Sequence, residues 1–121
     1  MPALNFMQRL ALMVESGVKR HTVRRTAKRP IKPGDRLVLF TGMRTKHCRR
    51  LMDTECTKIQ QIALCSNGLF ILDGRALSDR DADKFCQADG LTSRRELWDF
   101  VERQYGLPFD GVVIHWRYNK A

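Results

Sequence analysis

The sequence predicts an α+β fold with a small, mostly antiparallel, barrel-like sheet and helices on one side of it. Three observations favour this class. The predicted elements run helix, strands, helices, strand; short hairpin signals connect neighbouring strands; and no βαβ unit repeats along the chain. The 121 residues suit a single domain over 1–121, because domains commonly contain roughly 100 to 150 residues.

The first half of the chain is predicted to contain one helix and two extended segments. Apolar side chains at helical spacing indicate an amphipathic helix that Gly17 ends. Pro30 and Pro33 interrupt any regular element, so a basic loop precedes the turn "KPGD". The predicted bounds are 4–16 for the helix, 18–24 for extended chain, 32–35 for the turn, 36–41 for a strand and 42–50 for a loop.

The second half is predicted to contain a hairpin, two helices and a last strand. The pair Asn67-Gly68 is typical of a hairpin turn. Ser78 is a suitable N-cap for a short helix that ends before Gly90. Ser93 and Glu96 have the spacing of a capping box for a longer helix that ends at Gly106. The strands are expected at 56–65, 69–72 and 111–118, with the two helices before the last of them.

Positive charge is concentrated in one part of the chain. The formal net charge is +9. Residues 17–50 contain twelve Lys or Arg and one acid, a net of +11, whereas the other 87 residues contain ten basic and twelve acidic side chains, a net of −2. Such a segment repels itself unless a polyanion or an acidic partner offsets the charge. Phosphate is the commonest partner, so RNA is expected, and an acidic protein remains an alternative.

Composition gives expectations about location and cofactors. Hydrophobic residues at 43% and charged residues at 29% are ordinary for a globular protein, so no membrane association is expected. The N-terminal stretch lacks the basic and continuous apolar segments of a signal peptide. The four cysteines form no Cys-x-x-Cys pair, so we expect buried free thiols, a cytoplasmic location, no metal and no other cofactor.

Three groups of residues are candidates for a site. Lys19, Thr22 and Arg24 form the first, although Lys19 and Thr22 share a site only if the chain bends between them. The loop "TGMRTK", residues 41–46, displays basic side chains beside backbone amides. Asp89 opposes the dipole at the end of its predicted helix. The motifs of phosphate-loop hydrolases, zinc proteases and serine hydrolases are absent.

Each candidate also has a purely structural interpretation. Lys19 suits a solvated charge, and Thr22 suits a strand. Arg44 suits a surface loop, and Asp89 suits a helix end. The residue types alone leave both interpretations open.

A family resemblance supports the functional interpretation. The segments "GVKRHTVR", "IKPGDRLVLFTGMRTKHCRRL" and "ADGLTSRRELWDFV", followed by a terminal strand, resemble the ASCH family over residues 6–118. This resemblance implies a PUA-like β-barrel with a cleft between the barrel and the helices, and an association with RNA and modified nucleosides.

The resemblance also implies catalytic alternatives. Small bacterial members of the family are amidohydrolases that remove an acetyl group from the exocyclic amine of cytidine with a lysine, a threonine and a glutamate. Lys19 and Thr22 match the first two, and the acid falls on Asp89, which is one methylene shorter than glutamate. Other members are described as ribonucleases, so RNA cleavage is a further alternative.

The amidohydrolase chemistry is consistent with these residue types. A threonine hydroxyl is a weak nucleophile, and a lysine with a depressed pKa can accept its proton. Repulsion by neighbouring arginines would lower the pKa of Lys19, and Asp89 would oppose that change. Arg24 or the amides near Gly42 would stabilise the oxyanion.

Recognition of RNA or a modified nucleoside is the leading prediction, because the charge surplus exceeds what one nucleoside requires. His21, His115, Trp98 and Trp116 are considered as stacking faces, although Trp116 is expected in the core. The predicted catalytic residues are Lys19, Thr22 and Asp89. The predicted ligand-binding residues are Arg20, Arg24, Arg25, Gly42, Arg44, Thr45 and Lys46.

Overall fold

The structure is a computed structural model that describes residues 2–119, and its class is α+β with seven strands and three helices in that range. The N-terminal helix and the two helices before the last strand are present as predicted, but a strand that was not predicted, Ala3–Phe6, precedes the N-terminal helix. The strands are β1 Ala3–Phe6, β2 His21–Arg25, β3 Arg36–Thr41, β4 Arg49–Leu64, β5 Phe70–Leu72, β6 Arg75–Ala76 and β7 Phe109–Trp116. The helices are α1 Gln8–Glu15, α2 Asp79–Ala88 and α3 Arg94–Gln104.

The long strand β4 connects the two parts of a mixed sheet. Its first part, Arg49–Glu55, pairs antiparallel with β3, and its second part, Cys56–Leu64, pairs antiparallel with β7. β1 lies parallel to β3, and the remaining pairs, β2 with β7, β4 with β5 and β5 with β6, are antiparallel. Within residues 2–119 no pairing joins β1 to β2 or to β6, so the described sheet is not a closed barrel. The predicted barrel is not confirmed.

The prediction of a helix from residue 4 is wrong at its start. Leu4 and Phe6 are buried and Asn5 between them is exposed, which is the alternation of a strand. Residues 3–6 pair in register with residues 38–41 of β3. Two apolar residues at this spacing also fit the predicted helix, and the pairing with β3 decides between the two structures. α1 therefore begins only at Gln8.

The predicted loop over residues 42–50 ends too late, and the next strand begins before its predicted start at Cys56. β4 already begins at Arg49. Met52, Thr54 and Cys56 alternate as buried residues, and the charged residues between them are the exposed Asp53 and the half-buried Glu55. That alternation indicates a strand, but the charged residues obscured it. The short strand β6 was also not predicted.

Two hydrophobic clusters use opposite faces of β7. Ile114 and Trp116 belong to the first cluster, and Val113 belongs to the second. The predicted division of faces is confirmed, but both faces are buried rather than one. The first cluster contains Leu4, Phe6, Val14, Leu37, Leu39, Met52, Cys56, Ile114 and Trp116. The second contains Ile62, Leu64, Phe70, Ala82, Cys86, Leu97, Val101, Phe109 and Val113.

The helices contribute to both clusters, which corrects the prediction that they share one side. Val14 of α1 lies in the first cluster, whereas Cys86 of α2 and Val101 of α3 lie in the second. β7 is thus covered on one face by α1 and β1, and on the other by α2 and α3.

The helix ends agree in part with the sequence signals. Gly17 follows α1 with a positive φ of 83°, and a side chain there would collide with the ring of Tyr118. Ser78 caps α2 by accepting a hydrogen bond from the Asp81 amide at 3.2 Å. The capping box of α3 is wrong in register, because the carboxylate of Glu96 accepts the amide of Thr92 instead of that of Ser93.

The four cysteines are free, but the prediction that they are buried is correct only for Cys56 and Cys86; Cys65 is half-buried and Cys48 is exposed. No helix within residues 2–119 has the length and apolar character needed to span a membrane.

Candidate functional site

A cleft of about 280 Å³ lies between the helices and the edge strands β1 and β2. Its walls combine an apolar surface with several ionisable side chains. Polar and charged residues of the lining are Asn5, Arg9, Lys19, Thr22, Arg24, Asp89, Glu96 and Arg103, and the principal apolar residues are Phe6, Leu97, Phe100, Val101, Tyr105 and Phe109. The volume is close to the lower limit of about 300 Å³ for ligand pockets, so the cleft suits only a small ligand.

Lys19 forms the polar floor of this cleft. Its side chain is only 1% exposed, so the interpretation of Lys19 as a solvated charge is wrong. The Nζ atom donates to the backbone oxygens of His21 at 2.8 Å and Asp89 at 2.5 Å, and it lies 3.0 Å from Oδ1 of Asp89. An ammonium group has three N–H bonds, so these three oxygens match its full donor capacity.

Local structure explains why Lys19 reaches Asp89. Lys19 lies between α1 and β2, and its amide donates to the carbonyl of Met13 at 2.9 Å. The chain therefore bends before β2, as a shared site with Thr22 requires. Asp89 is the C-cap of α2. The ammonium lies against the carbonyl at this helix end, where the helix dipole favours positive charge.

Burial lowers the pKa of Lys19 below its usual value. The carboxylate of Asp89 opposes this change, and the positive charge of Arg24 adds a smaller lowering. The predicted direction is therefore correct, but loss of solvation is the main cause, and repulsion by arginines is secondary. The three oxygen partners suit the protonated form of Lys19. Burial nevertheless makes loss of the proton easier than it is in water.

His21 extends the polar floor toward the sheet. Its Nδ1 lies 2.9 Å from Oδ1 of Asp89, and its ring stacks on Phe85 with a centroid distance of 4.8 Å. The ring of His115 lies 5.1 Å away, and Nε2 of His115 pairs with Oε1 of Gln60 at 2.7 Å. His21 does not line the cleft; it packs behind Asp89, and Phe85 covers one face of its ring.

Thr22 lies on β2 and lines the same cleft as Lys19 and Asp89. Its residue is 6% exposed. Among the side-chain hydrogen bonds within residues 2–119, none involves the hydroxyl of Thr22, so Lys19 and Thr22 do not form the bonded pair that proton transfer requires. The hydroxyl is therefore available to a ligand.

Arg24 lies beside the floor and connects β2 to β1. Its Nη2 donates to the carbonyl of Asn5 at 2.7 Å, and its guanidinium lies over the ring of Phe6 at 5.2 Å. Burial lowers the pKa of Arg24, and the proximity of Tyr105 and Asp89 opposes this effect. The residue remains a fixed positive charge at the cleft wall.

The loop residues Gly42, Arg44, Thr45 and Lys46 do not line the cleft. The loop is tied to the cleft wall indirectly, because the amide of Met43 donates to Oδ1 of Asn5 at 3.0 Å. Arg44, Thr45 and Lys46 are exposed, and Arg44 has a positive φ of 66°. A side chain at position 42 would collide with the carbonyl of His47, so that glycine shapes the loop.

Arg20 and Arg25 also lie outside the cleft lining. Arg20 donates to the carbonyl of Gly17 at 2.6 Å and lies over the ring of Tyr118 at 5.2 Å. Arg25 lies over the ring of Tyr105 at 5.3 Å, and Tyr105 does line the cleft. Of the two, only Arg25 is close to the cleft mouth.

Asn5 and Phe6 line the cleft but are not among the predicted site residues, because residues 4–6 also fit the predicted helix. Sequence reasoning also missed the role of His21 as a partner of Asp89. A short alternating segment at residues 3–6 was the available signal for the first two. No local pattern predicts the contact of His21 with a residue 68 positions away.

Comparison with protein-family models, curated proteins and solved structures finds no match to this chain.

No cluster of three or more His, Cys, Asp or Glu side chains within the described range 2–119 is arranged to hold a metal ion. The lining of the cleft itself offers hydrogen bonds, charge and aromatic surface to a ligand. It can hold an aromatic group in its apolar part while polar edges of that group meet the floor.

Replacement of Lys19 by Met should lower the free energy of unfolding by about 3–5 kcal/mol, because the carboxylate of Asp89 then remains buried without its counter-ion. Urea unfolding of Lys19→Met, Asp89→Leu and the double variant measures the coupling between the two residues. The double variant should lose less stability than the sum of the single variants. Lys84→Met, on an exposed part of α2, is the control; strictly additive losses at Lys19 and Asp89 would contradict the coupling.

Acidification should destabilise the protein through His115. Burial, together with the nearby charges of His21 and Lys58, lowers the pKa of His115 from 6.5 to about 4. Between these two values the unfolded chain binds a proton that the folded chain does not, so stability falls as pH drops from 6.5 to 4. Partial exposure reduces the contribution to about 1–2 kcal/mol.

Urea unfolding at pH 7 and pH 4.5 measures this contribution. His115→Gln should show a smaller loss of stability between the two pH values than the wild type. His47→Gln, at an exposed loop position, is the control and should match the wild type. Equal pH dependence in all three proteins would refute the role of His115.

Proposed function

We propose that this protein binds RNA or a modified nucleoside, with the base in the cleft and the phosphates on neighbouring basic side chains. The single observation that carries the proposal is the cleft itself, in which a fully bonded Lys19–Asp89 pair, a free Thr22 hydroxyl and an aromatic wall lie together. Nucleobases need both features, because their faces are apolar and their edges are donors and acceptors.

The charge distribution supports RNA as the ligand. The segment 17–50 carries the net charge of +11. Several of its cations, including Arg25, Lys28, Arg29 and Lys32, are exposed. A polyanion offsets such a surplus, whereas an isolated nucleoside has no charge that requires it.

The proposed function agrees with the resemblance to the ASCH family. We further propose a PUA-like architecture, in which the described open sheet corresponds to the family barrel and the cleft corresponds to its ligand site. The motif from Lys19 to Arg24 would then lie at the floor and wall of the site, and the loop 41–46 would lie at its rim.

RNA binding should depend steeply on salt. Each phosphate contact contributes a slope of roughly −0.7 in log K against log salt for single strands. The triple variant Arg25→Gln, Lys28→Gln, Arg29→Gln should therefore bind a single-stranded oligonucleotide less tightly, with a slope shallower by up to about 2. Fluorescence anisotropy at several salt concentrations measures both quantities.

A matched control removes the same charge elsewhere. Arg75→Gln, Arg80→Gln, Lys84→Gln also lowers the net charge by three, but these residues lie outside the basic segment 17–50. This control should retain the wild-type slope. If the affinity of the wild type for the oligonucleotide does not change with salt concentration, the RNA proposal is contradicted.

Deacylation of acylated cytidine is the second candidate. The observation that favours it is that Lys19, Thr22 and Asp89 line one cleft and that burial lowers the pKa of Lys19. In the reaction, the Thr22 hydroxyl attacks the amide carbonyl and gives its proton to neutral Lys19. The amine departs with that proton, and water then hydrolyses the acyl ester. The bonded ammonium geometry of Lys19 favours binding over this chemistry, because a protonated amine cannot accept a proton.

Substitution of Thr22 distinguishes ligand binding from deacylation. If the protein is an amidohydrolase, Thr22→Val should abolish release of acetate from acetylated cytidine, and Thr22→Ser should retain part of the activity. The wild-type rate should rise with pH as Lys19 loses its proton. Chromatography of the nucleoside products measures turnover, and labelled single-stranded RNA in the same assay reports cleavage. Turnover that is unchanged in Thr22→Val would eliminate the threonine mechanism.

A further inference from the structure

A second cavity, of about 490 Å³, lies under the basic loop that connects β2 to β3. Its floor is aliphatic, and its rim is basic. The floor contains Leu4, Ile31, Ile59, Val112 and Ile114, and the rim contains Arg24, Arg25 and Lys32. Ile59 and Val112 are only half-buried, so this apolar surface is open to a ligand.

Arg24 lines both the cleft and this second cavity. A guanidinium has five N–H donors, and one of those of Arg24 bonds the carbonyl of Asn5. No other partner of this side chain is found among the side-chain hydrogen bonds of residues 2–119. Within this range, no nitrogen atom of the Arg24 side chain is both fully buried and without a partner. Donors of Arg24 are thus exposed at the boundary between two cavities.

We propose that the ligand spans both cavities and is a segment of single-stranded RNA at least two nucleotides long. One base occupies the cleft, the phosphodiester between the nucleotides binds Arg24, and the second nucleoside covers the aliphatic floor of the second cavity. This inference rests on the proposed function and specifies the ligand class of the same site. Guanidinium groups bind phosphate oxygens through parallel charge-assisted hydrogen bonds, which suits Arg24 to this position.

Charge favours a polyanion over an anionic amphiphile in the second cavity. Residues 24–32 contain five cations, Arg24, Arg25, Lys28, Arg29 and Lys32, and no acid. A single carboxylate on an aliphatic chain would offset one of them. A chain of phosphates continues past the cavity and offsets several. The aliphatic floor contacts the face of a ribose or a base without requiring a particular base, so little sequence selectivity is expected at this position.

The test compares cytidine with the dinucleotide cytidylyl-3′,5′-cytidine by isothermal titration calorimetry. The dinucleotide should bind at least about tenfold more tightly, because a charge-assisted contact contributes about 1.5–3 kcal/mol. Ile59→Phe fills the second cavity and should remove this advantage while leaving the affinity for cytidine unchanged. Leu69→Phe, which enlarges an exposed side chain outside both cavities, is the control and should bind like the wild type.

A second variant keeps the test valid if Ile59→Phe does not fold. Lys32→Gln lies on the exposed rim and should reduce only the dinucleotide affinity. Equal binding of cytidine and dinucleotide by the wild type would overturn the two-cavity inference and leave the proposed function intact. Absence of binding to cytidine and to longer RNA would overturn the proposed function and, with it, this inference. A third outcome is that Ile59→Phe abolishes binding of dodecanoate but does not change binding of the dinucleotide. That result would overturn the inference and assign the second cavity to amphiphiles.

Discussion

The buried ammonium of Lys19 is the interaction on which the site depends. Its backbone amide is held by the end of α1, and its side chain binds the end of α2 and the first residue of β2. Two neighbouring elements, α1 and β2, therefore meet the distant α2 at this one residue. Removing a lysine from water is costly, so this arrangement requires the three oxygen partners and the negative charge of Asp89. The cleft is the space that remains in front of this pair.

The same interaction limits the chemistry that the cleft can perform. Asp89 reaches Lys19 with both its backbone and its side chain, and the same Oδ1 atom contacts His21. The short side chain suits this position, because the carbonyl at the helix end and the carboxylate must bind one ammonium together. A site built in this way is rigid and keeps Lys19 as a donor. The amine of Lys19 can accept a proton only if the effect of burial on its pKa outweighs the effect of these contacts. This balance decides whether the cleft can act as a catalytic site or only as a binding site.

The sequence predicted the parts of the molecule that local chemistry controls. Asn67-Gly68 specified the hairpin, and Ser78 specified the start of α2, because turns and caps depend on adjacent residues. β1 could not be distinguished from helix, since its strand conformation depends on pairing with residues about 35 positions away. The candidates Lys19, Thr22, Arg24 and Asp89 do line one cleft, but the partnership of Asp89 with His21 arises only from tertiary packing.

The unpaired edges of β1 and β2 explain why two cavities lie next to each other. Each strand pairs on one side only, with β3 and β7 respectively, and within residues 2–119 no backbone ladder joins them. Arg24 connects them instead, through its bond to Asn5. Strand edges carry polar backbone groups that need partners, and a ligand in this gap can supply them. Pairing of β1 with β2 would occupy those groups and narrow the gap between them. The incomplete closure of the sheet therefore leaves the space that the proposed two-nucleotide ligand needs, and Arg24 would be the central contact of that ligand.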